Sequence, residues 1–339
     1  MLGVGLIGYG YWGPNLARNF SLQPDCRLVS ICELKPDRSE LAARTYPAVK
    51  TTSDYHDLLK DEDIHAVLIA TPVSTHFELA RDAILAGKDV LVEKPLTRTL
   101  AEAIDLNRLA EEQGRILAVD HTFLYTGAVQ KIKEIIEARE LGQILYIDSV
   151  RINLGLFQPD VNVIYDLAPH DLSIVCHLIP QDPVSVRAMG VCHTNIGVEN
   201  MAYLHLDYAD GLIAHFHFSW LSPVKIRRTI IGGTNKMIVY DDLEATEKVK
   251  IYDKGIIVRD GDVNAIYKAR VDYRTGDMVA PKLAHREALN TEANHFLSCL
   301  KTRTRPIADG WAGLRVMRIL EAGHLSIKKN GTQIRLEEL

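Results

Sequence analysis

Short apolar runs and amphipathic stretches take turns along the first third of the chain. Leu2–Ile7, Arg27–Cys32, Ala66–Ile69, Asp89–Val92 and Ile116–Val119 read as strands, apolar enough to be buried on both faces. The stretches between them carry helix boundary signals. Thr75-His76-Phe77-Glu78 spells a capping box, with Gly87 placed to end the helix it opens. Thr99-Leu100-Ala101-Glu102 spells a second, with Gly114 as its stop. Strands alternating with helices imply right-handed crossovers, and so a parallel, doubly wound sheet over residues 1–121.

The rhythm changes after a bridging helix predicted at Val129–Ala138. Apolar and polar positions then alternate through Ile144–Asn153, Val184–Cys192, Asn200–Tyr208, Leu212–Trp220, Arg227–Ile231 and Lys236–Tyr240. Turn signals such as Ala209-Asp210-Gly211 and Gly232-Gly233 separate these segments, which predicts a largely antiparallel sheet. A helix at Val163–Ile179 interrupts it, and two more, near Glu287–Lys301 and Gly310–Lys329, close the chain. The expected architecture is therefore α/β followed by α+β, with residues 122–339 as a second, open-sheet domain. An open sheet of many strands leaves a face that three helices do not cover, so this half is expected to mediate assembly into a homodimer or homotetramer.

Where the first strand ends, the sequence runs into Gly8-Tyr9-Gly10-Tyr11-Trp12-Gly13. Pro14 follows in what would be the first helical turn, where proline is tolerated. The second strand ends in Glu33, at the distance where such units place an acidic residue for a ribose. These parts suit a dinucleotide. Gly8 allows the tight turn, Gly10 lets backbone approach a pyrophosphate, and Gly13 lets helix and strand pack closely. The helix start offers amides and partial positive charge to the phosphates. Glu33 would accept ribose hydroxyls and repel a 2′-phosphate, which favours NAD, although Lys35 and Arg38 stand close enough in sequence to admit NADP. Tyr11 and Trp12, inside the fingerprint, join the expected cofactor contacts.

Three further clusters carry candidate chemistry. Ala70-Thr71-Pro72 follows a strand directly, at the carboxyl edge where ligands sit in such sheets, so Thr71 and Pro72 are expected to border the nicotinamide. His76, just inside the next helix, reads equally as a cofactor contact and as a surface residue. Glu93-Lys94-Pro95 ends another strand, and from there the Lys94 ammonium can hydrogen-bond a substrate hydroxyl and stabilise charge as it loses its proton. In Asp166-Leu167-Ala168-Pro169-His170-Asp171, Pro169 fits a first helical turn if Asp166 is the N-cap. Asp166 and His170 then lie one turn apart, a carboxylate placed to orient an imidazole base. Arg151 and Asn153 share one face of their strand, as a polar substrate or an exposed edge strand would require. With Tyr125, Lys94, Asp166 and His170 they form the expected substrate contacts.

Composition narrows the classes. A net charge of −5 with no basic run argues against nucleic acid, and no apolar stretch approaches membrane-spanning length. The five cysteines lack a CxxC pair and read as reduced thiols of a cytoplasmic protein. His170, Asp171 and His177, or His215 and His217, lack a standard ligand spacing, so no metal is expected.

Taken together, the Gly8–Gly13 fingerprint, Ala70-Thr71-Pro72 with His76, and Ala86-Gly87-Lys88-Asp89-Val90-Leu91-Val92-Glu93-Lys94-Pro95 make the chain resemble the glucose–fructose oxidoreductase / inositol dehydrogenase / rhizopine catabolism (Gfo/Idh/MocA) family. Asp166 with His170, and Pro306 through Gly313-Leu314, extend the resemblance over essentially the whole length. It implies a Rossmann domain and an open α+β domain, NAD(P) on the first, and substrate between them. It also implies that Lys94, Asp166 and His170 are catalytic. The chain departs from the family pattern at Ala168, where glycine is usual, and at Ser173, where an acidic residue is common. Tyr11–Asn15 and Arg151–Gly155 are similar to the branch of sugar-nucleotide 3-dehydrogenases. An NAD-dependent dehydrogenase of a sugar or nucleotide-linked sugar is therefore expected. UDP-N-acetylglucosamine or its uronic acid, oxidised at C3, is the leading substrate. The alternatives are an inositol or free-sugar dehydrogenase, an NAD-dependent glycosidase, or a non-catalytic regulator sensing NAD or sugar. Whether Lys94 or His170 is the formal base is left open.

Overall fold

A computed structural model describes residues 1–155, 161–194, 197–258 and 271–339. The first elements are strands β1 (Leu2–Ile7), β2 (Cys26–Cys32), β3 (Lys50–Thr52), β4 (Ala66–Ile69), β5 (Asp89–Glu93) and β6 (Leu117–Asp120). Between them run helices α1 (Gly13–Ser21), α2 (Pro36–Thr45), α3 (His56–Lys60), α4 (His76–Leu85) and α5 (Leu100–Glu112). The strands form one parallel sheet in the order β3-β2-β1-β4-β5-β6, as the alternation implies. β3 escapes the hydrophobic pattern because Lys50 and Thr51 are exposed. Thr99 closes the expected capping box with Glu102 and opens α5. The box expected at Thr75 does not form. A 3-10 turn at Val73–Thr75 holds Thr75 in helical backbone geometry, and its hydroxyl points back to Thr71 and to the Pro72 carbonyl.

The following elements are α6 (Gly127–Glu137), β7 (Ile144–Leu154), α7 (Val163–Leu178), β8 (Ser185–Val191), β9 (Met201–Asp207), β10 (Ile213–Ser219), β11 (Leu221–Gly233), β12 (Met237–Asp241), β13 (Val249–Val258) and β14 (Val271–Val279). The chain ends with α8 (Ala288–Thr302), α9 (Gly310–Lys328) and the two-residue β15 (Ile334–Arg335). The nine-stranded sheet runs β14-β13-β12-β11-β7-β10-β9-β8-β15, antiparallel except between β7 and β10. One face buries Leu204, Leu206, Phe216 and Phe218. The other exposes Met189, Tyr203 and Ile213, with Tyr203 stacked on His217 at 4.5 Å between ring centroids.

Two expectations from the sequence need correction here. Asp166 is not the N-cap of α7. Asn162, in extended backbone, holds that place and accepts the Tyr165 amide at 3.1 Å. The helix starts at Val163, as the pattern predicted, a turn before the start an Asp166 cap would set, so Pro169 stands inside it rather than in its first turn. The reading of Arg151 and Asn153 as an exposed edge pair also fails, since β7 lies between β10 and β11.

The chain divides into two compact units, residues 1–126 with 285–321, and residues 127–284 with 322–339. The expected split at residue 121 left all of α8 and α9 in the second domain; instead α8 and the start of α9 belong to the first. The cause lies in α8, whose Leu289, Ala293, Phe296, Leu297 and Leu300 are buried in one core with Leu16 and Phe20 of α1. Phe20 and Phe296 meet edge-on at 6.2 Å. Burying such side chains is worth about 1.5–3 kcal/mol each, far more than the exposed Arg18–Glu287 pair contributes.

Candidate functional site

The glycine loop between β1 and α1 has the form the fingerprint demands. Gly8 adopts φ +94°, and a side chain on it would strike the Ala70 carbonyl at 2.5 Å. A side chain on Gly13 would meet the Gly8 carbonyl at 2.1 Å, so helix and strand cannot pack this way with any other residue. Beside Gly10 there is nothing within 4 Å, leaving open space where a pyrophosphate can approach backbone. Glu33 stands beside this loop. Its carboxylate accepts the Tyr9 amide at 2.6 Å and the Lys35 amide at 2.9 Å. Each oxygen retains a lone pair, so the group can still receive ribose hydroxyls. The residues present fit a dinucleotide. Tyr11 is 92 % exposed, whereas Trp12 turns inward and donates its indole N–H to Asp120 Oδ2 at 2.5 Å.

At the carboxyl edge of the parallel sheet, Thr71 and Pro72 follow β4, while Glu93 ends β5 and Lys94 follows it. His76 joins the two segments. Its Nδ1 lies 2.9 Å from the Pro95 carbonyl and its Nε2 2.9 Å from that of Thr71. Its burial resolves the alternative left by the sequence: His76 is no surface residue. Burial, the largest influence on it, pushes its pKa down. The Lys94–Pro95 peptide is cis and Lys94 is half-buried. His121, after β6, is 2 % exposed, and neither ring nitrogen has a hydrogen-bond partner among the described residues. Burial, and then the nearby Lys94 charge, push its pKa down to about 3, so it is neutral.

In the second unit, Asp166 and His170 lie one turn apart on α7, both half-buried. Asp166 Oδ2 accepts the Trp220 indole N–H at 2.9 Å. Ser173, standing where an acid is common, donates its hydroxyl to the His170 carbonyl at 2.8 Å. The arrangement can hold a carboxylate beside an imidazole and limit its motion.

Two expected substrate contacts are placed otherwise. Arg151 is buried on the face of β7 toward α7, where its Nε donates to Asp171 Oδ2 at 2.5 Å. The Asp171 charge keeps the guanidinium charged against the desolvation that dominates its surroundings. Asn153 stays on the same strand face, half-buried. Tyr125 is enclosed in the first unit with its ring 5.5 Å from that of His295, and burial raises its pKa well above the usual value. Sequence reading missed Trp220, Asp171, Asp120, His121 and Glu292. Asp171 was visible in the Asp166–Asp171 run. Trp220 and Asp120 have hydrogen-bond partners distant in sequence, and no local pattern marks His121 or Glu292.

A dinucleotide cradle on a parallel sheet, with a carboxylate and an imidazole one turn apart on a helix of a second unit, is the arrangement of a class of two-unit nicotinamide-dependent oxidoreductases. Residues 2–121 match the family described as oxidoreductase family, NAD-binding Rossmann fold, and residues 129–239 match its C-terminal domain. The chain belongs to the Gfo/Idh/MocA oxidoreductase family, and its cofactor is NAD. It is 31 % identical over 322 residues to UDP-N-acetylglucosamine 3-dehydrogenase of Acidithiobacillus ferrooxidans, covering 93 % of each chain. It is 27 % identical over 319 residues to scyllo-inositol 2-dehydrogenase (NAD(+)) of Bacillus subtilis, covering 91 % of this chain and 87 % of that one. A solved structure of the Acidithiobacillus enzyme superposes with a TM-score of 0.79 at 27 % identity, covering 97 % of this chain and 98 % of the other. Levoglucosan dehydrogenase in complex with NADH and levoglucosan has a TM-score of 0.83 at 22 % identity, with 99 % of each chain covered, and shows the same fold.

Proposed function

We propose that this oxidoreductase oxidises a secondary hydroxyl of a nucleotide-linked sugar, with UDP-N-acetylglucosamine or its uronic acid at C3 as the leading substrate. One observation carries the chemistry: a carboxylate and an imidazole one turn apart on α7, the carboxylate held by Trp220. The substrate class is supported by the relative that acts on UDP-N-acetylglucosamine. The inositol dehydrogenase among the relatives supports a second reading, a cyclitol or free sugar.

In the proposed reaction, His170 takes the hydroxyl proton and Asp166 orients the ring and balances its positive charge. Lys94 hydrogen-bonds the same oxygen and stabilises the charge that develops on it. NAD, when bound, would supply the hydride acceptor for this oxidation. Gly8, Gly10, Tyr11, Trp12, Gly13 and Glu33 hold the adenosine and pyrophosphate end, and Thr71, Pro72, His76, Glu93 and Lys94 border the other. Asn153 remains a proposed substrate contact.

The test is NADH absorbance on mixing the protein with NAD and a panel of UDP-sugars, free sugars and inositols. Formation of NADH with a UDP-sugar is expected. Sugar release without NADH would replace the proposal with the glycosidase, and ligand binding without turnover would replace it with the regulator. Glu33 favours NAD over NADP in kcat/KM by at least about tenfold, because a 2′-phosphate would face its carboxylate. The reverse preference would refute that role. The exposed face of the nine-stranded sheet, with Met189, Tyr203 and Ile213, is proposed to pair subunits into a dimer or tetramer. A monomer mass by light scattering at micromolar concentration would exclude it.

A further inference from the structure

Glu292, on α8, is 1 % exposed, and neither carboxyl oxygen has a hydrogen-bond partner among the described residues, the nearby Thr122 hydroxyl being given to Asp120. A buried carboxylate so placed would be very costly. Its near neighbour is Asp120, at the end of β6 and 2 % exposed. Asp120 is well supplied: Oδ2 takes the Trp12 indole N–H and Oδ1 the Thr122 hydroxyl, each at 2.5 Å. Two ionised carboxylates offer each other only acceptors, and one proton between them converts the contact into a hydrogen bond.

The other facing groups agree. Glu93 on β5 adds a further negative charge, and Tyr125 on the turn after β6 is a neutral phenol whose own pKa Glu292 helps to raise. Trp12, the residue before α1, gives its indole N–H to Asp120. Burial, followed by the Asp120 charge, pushes the Glu292 pKa well above the carboxylate range.

Trp12 is also where α1 begins. Its carbonyl accepts the Asn15 amide at 2.9 Å, and the helix start it defines is the part that meets a pyrophosphate. We propose that Asp120 and Glu292 are positioning residues for the dinucleotide: a proton shared between them keeps Asp120 bonded to Trp12 and so fixes the amide-bearing start of α1. When alkaline pH removes that proton, the two charges repel, the indole bond loosens and NAD binds less tightly. The inference rests on NAD binding at the glycine loop.

The test is the Kd for NAD, by equilibrium titration of the full chain from about pH 7 to about pH 10, in wild type, Glu292→Gln, Glu292→Ala and Trp12→Phe. Wild-type affinity is expected to fall roughly tenfold toward high pH. Glu292→Gln, which keeps a donor that cannot ionise, is expected to bind as the wild type does at neutral pH and to stay flat. Glu292→Ala and Trp12→Phe are expected to bind about tenfold more weakly throughout. A readout free of cofactor is the Trp12 indole N–H resonance of the apo protein, assigned by its loss in Trp12→Phe. It is expected to shift with alkaline pH in the wild type and to hold still in Glu292→Gln; because the wild type alone shows the first effect, a poorly folded variant does not block the test. A pH-flat Kd and a pH-flat indole resonance in the wild type would overturn the proposal and leave the cofactor site standing. Failure of the wild type to bind NAD would overturn both.

Discussion

Two aspartates, one in each unit, accept an indole N–H, and what stands beside them differs. Asp120 takes Trp12 at 2.5 Å, is fully buried, and faces a second acid, Glu292. Asp166 takes Trp220 at 2.9 Å, is half-buried, and has an imidazole one turn along its helix. The same donor thus serves two purposes. Beside an acid, a buried aspartate can share a proton, and here that would hold a structure in place. Beside a histidine, a partly wet aspartate can stabilise a charge that comes and goes during a reaction. On the roles proposed for them, the first pair governs cofactor affinity and the second turnover.

The largest expected effect breaks the proposed catalytic pair. His170→Ala should lower kcat by about 10²–10⁴-fold, the usual worth of a general base, with the Kd for NAD nearly unchanged. Lys94→Ala should lower kcat too and also raise KM, since a lysine that meets substrate contributes to ground-state binding. Steady-state kinetics with the substrate found in the panel, alongside NAD titration, gives both numbers. Near wild-type turnover in His170→Ala would make the histidine structural and remove the contrast between the two aspartates.

Asp166→Asn should lower kcat by about tenfold to a hundredfold, less than His170→Ala does, because the amide keeps an acceptor for Trp220 but loses the charge that balances imidazolium. The N-cap of α7 belongs to Asn162, so melting of the variant should change by less than about 1 kcal/mol. A larger loss of stability, with kcat intact in the surviving protein, would assign Asp166 to the fold.

How far these roles could be read from the sequence depended on the range of the interaction. Strands β1, β4 and β5, the Thr99 capping box and the glycine loop are local patterns, and the structure repeats them nearly residue for residue. The placement of Asp166 and His170 one turn apart on α7 was legible for the same reason, being set by a four-residue spacing. The Thr75 box failed because a 3-10 turn upstream redirected one hydroxyl. Arg151 looked like a substrate contact because alternation gives the strand face, while its partner Asp171 lies 20 residues away on α7. Trp12 and Asp120 are separated by 108 residues, and the Trp220 indole reaches Asp166 across 54. No periodicity marks such pairs. The assignment of α8 to the first unit has the same origin, since its apolar stripe declares burial without naming the surface that buries it.

The smallest expected effect tests the comparison most directly. Trp220→Phe keeps a buried aromatic, smaller by one ring, and removes one N–H from Asp166. A hydrogen bond to a charged group contributes about 1.5–3 kcal/mol, but water can replace part of it at a half-buried carboxylate, so kcat should fall only about threefold to tenfold. The loss should appear in kcat, because the bond orients the carboxylate that supports imidazolium and leaves the glycine loop alone. Trp12→Phe removes the same group from the same kind of acceptor, and its effect should appear in the Kd for NAD. Measuring both constants for both variants crosses the two assignments. If Trp220→Phe weakened NAD binding while sparing turnover, the indole–aspartate bond would be a common structural brace, and the difference between Glu292 and His170 would not explain what each pair does.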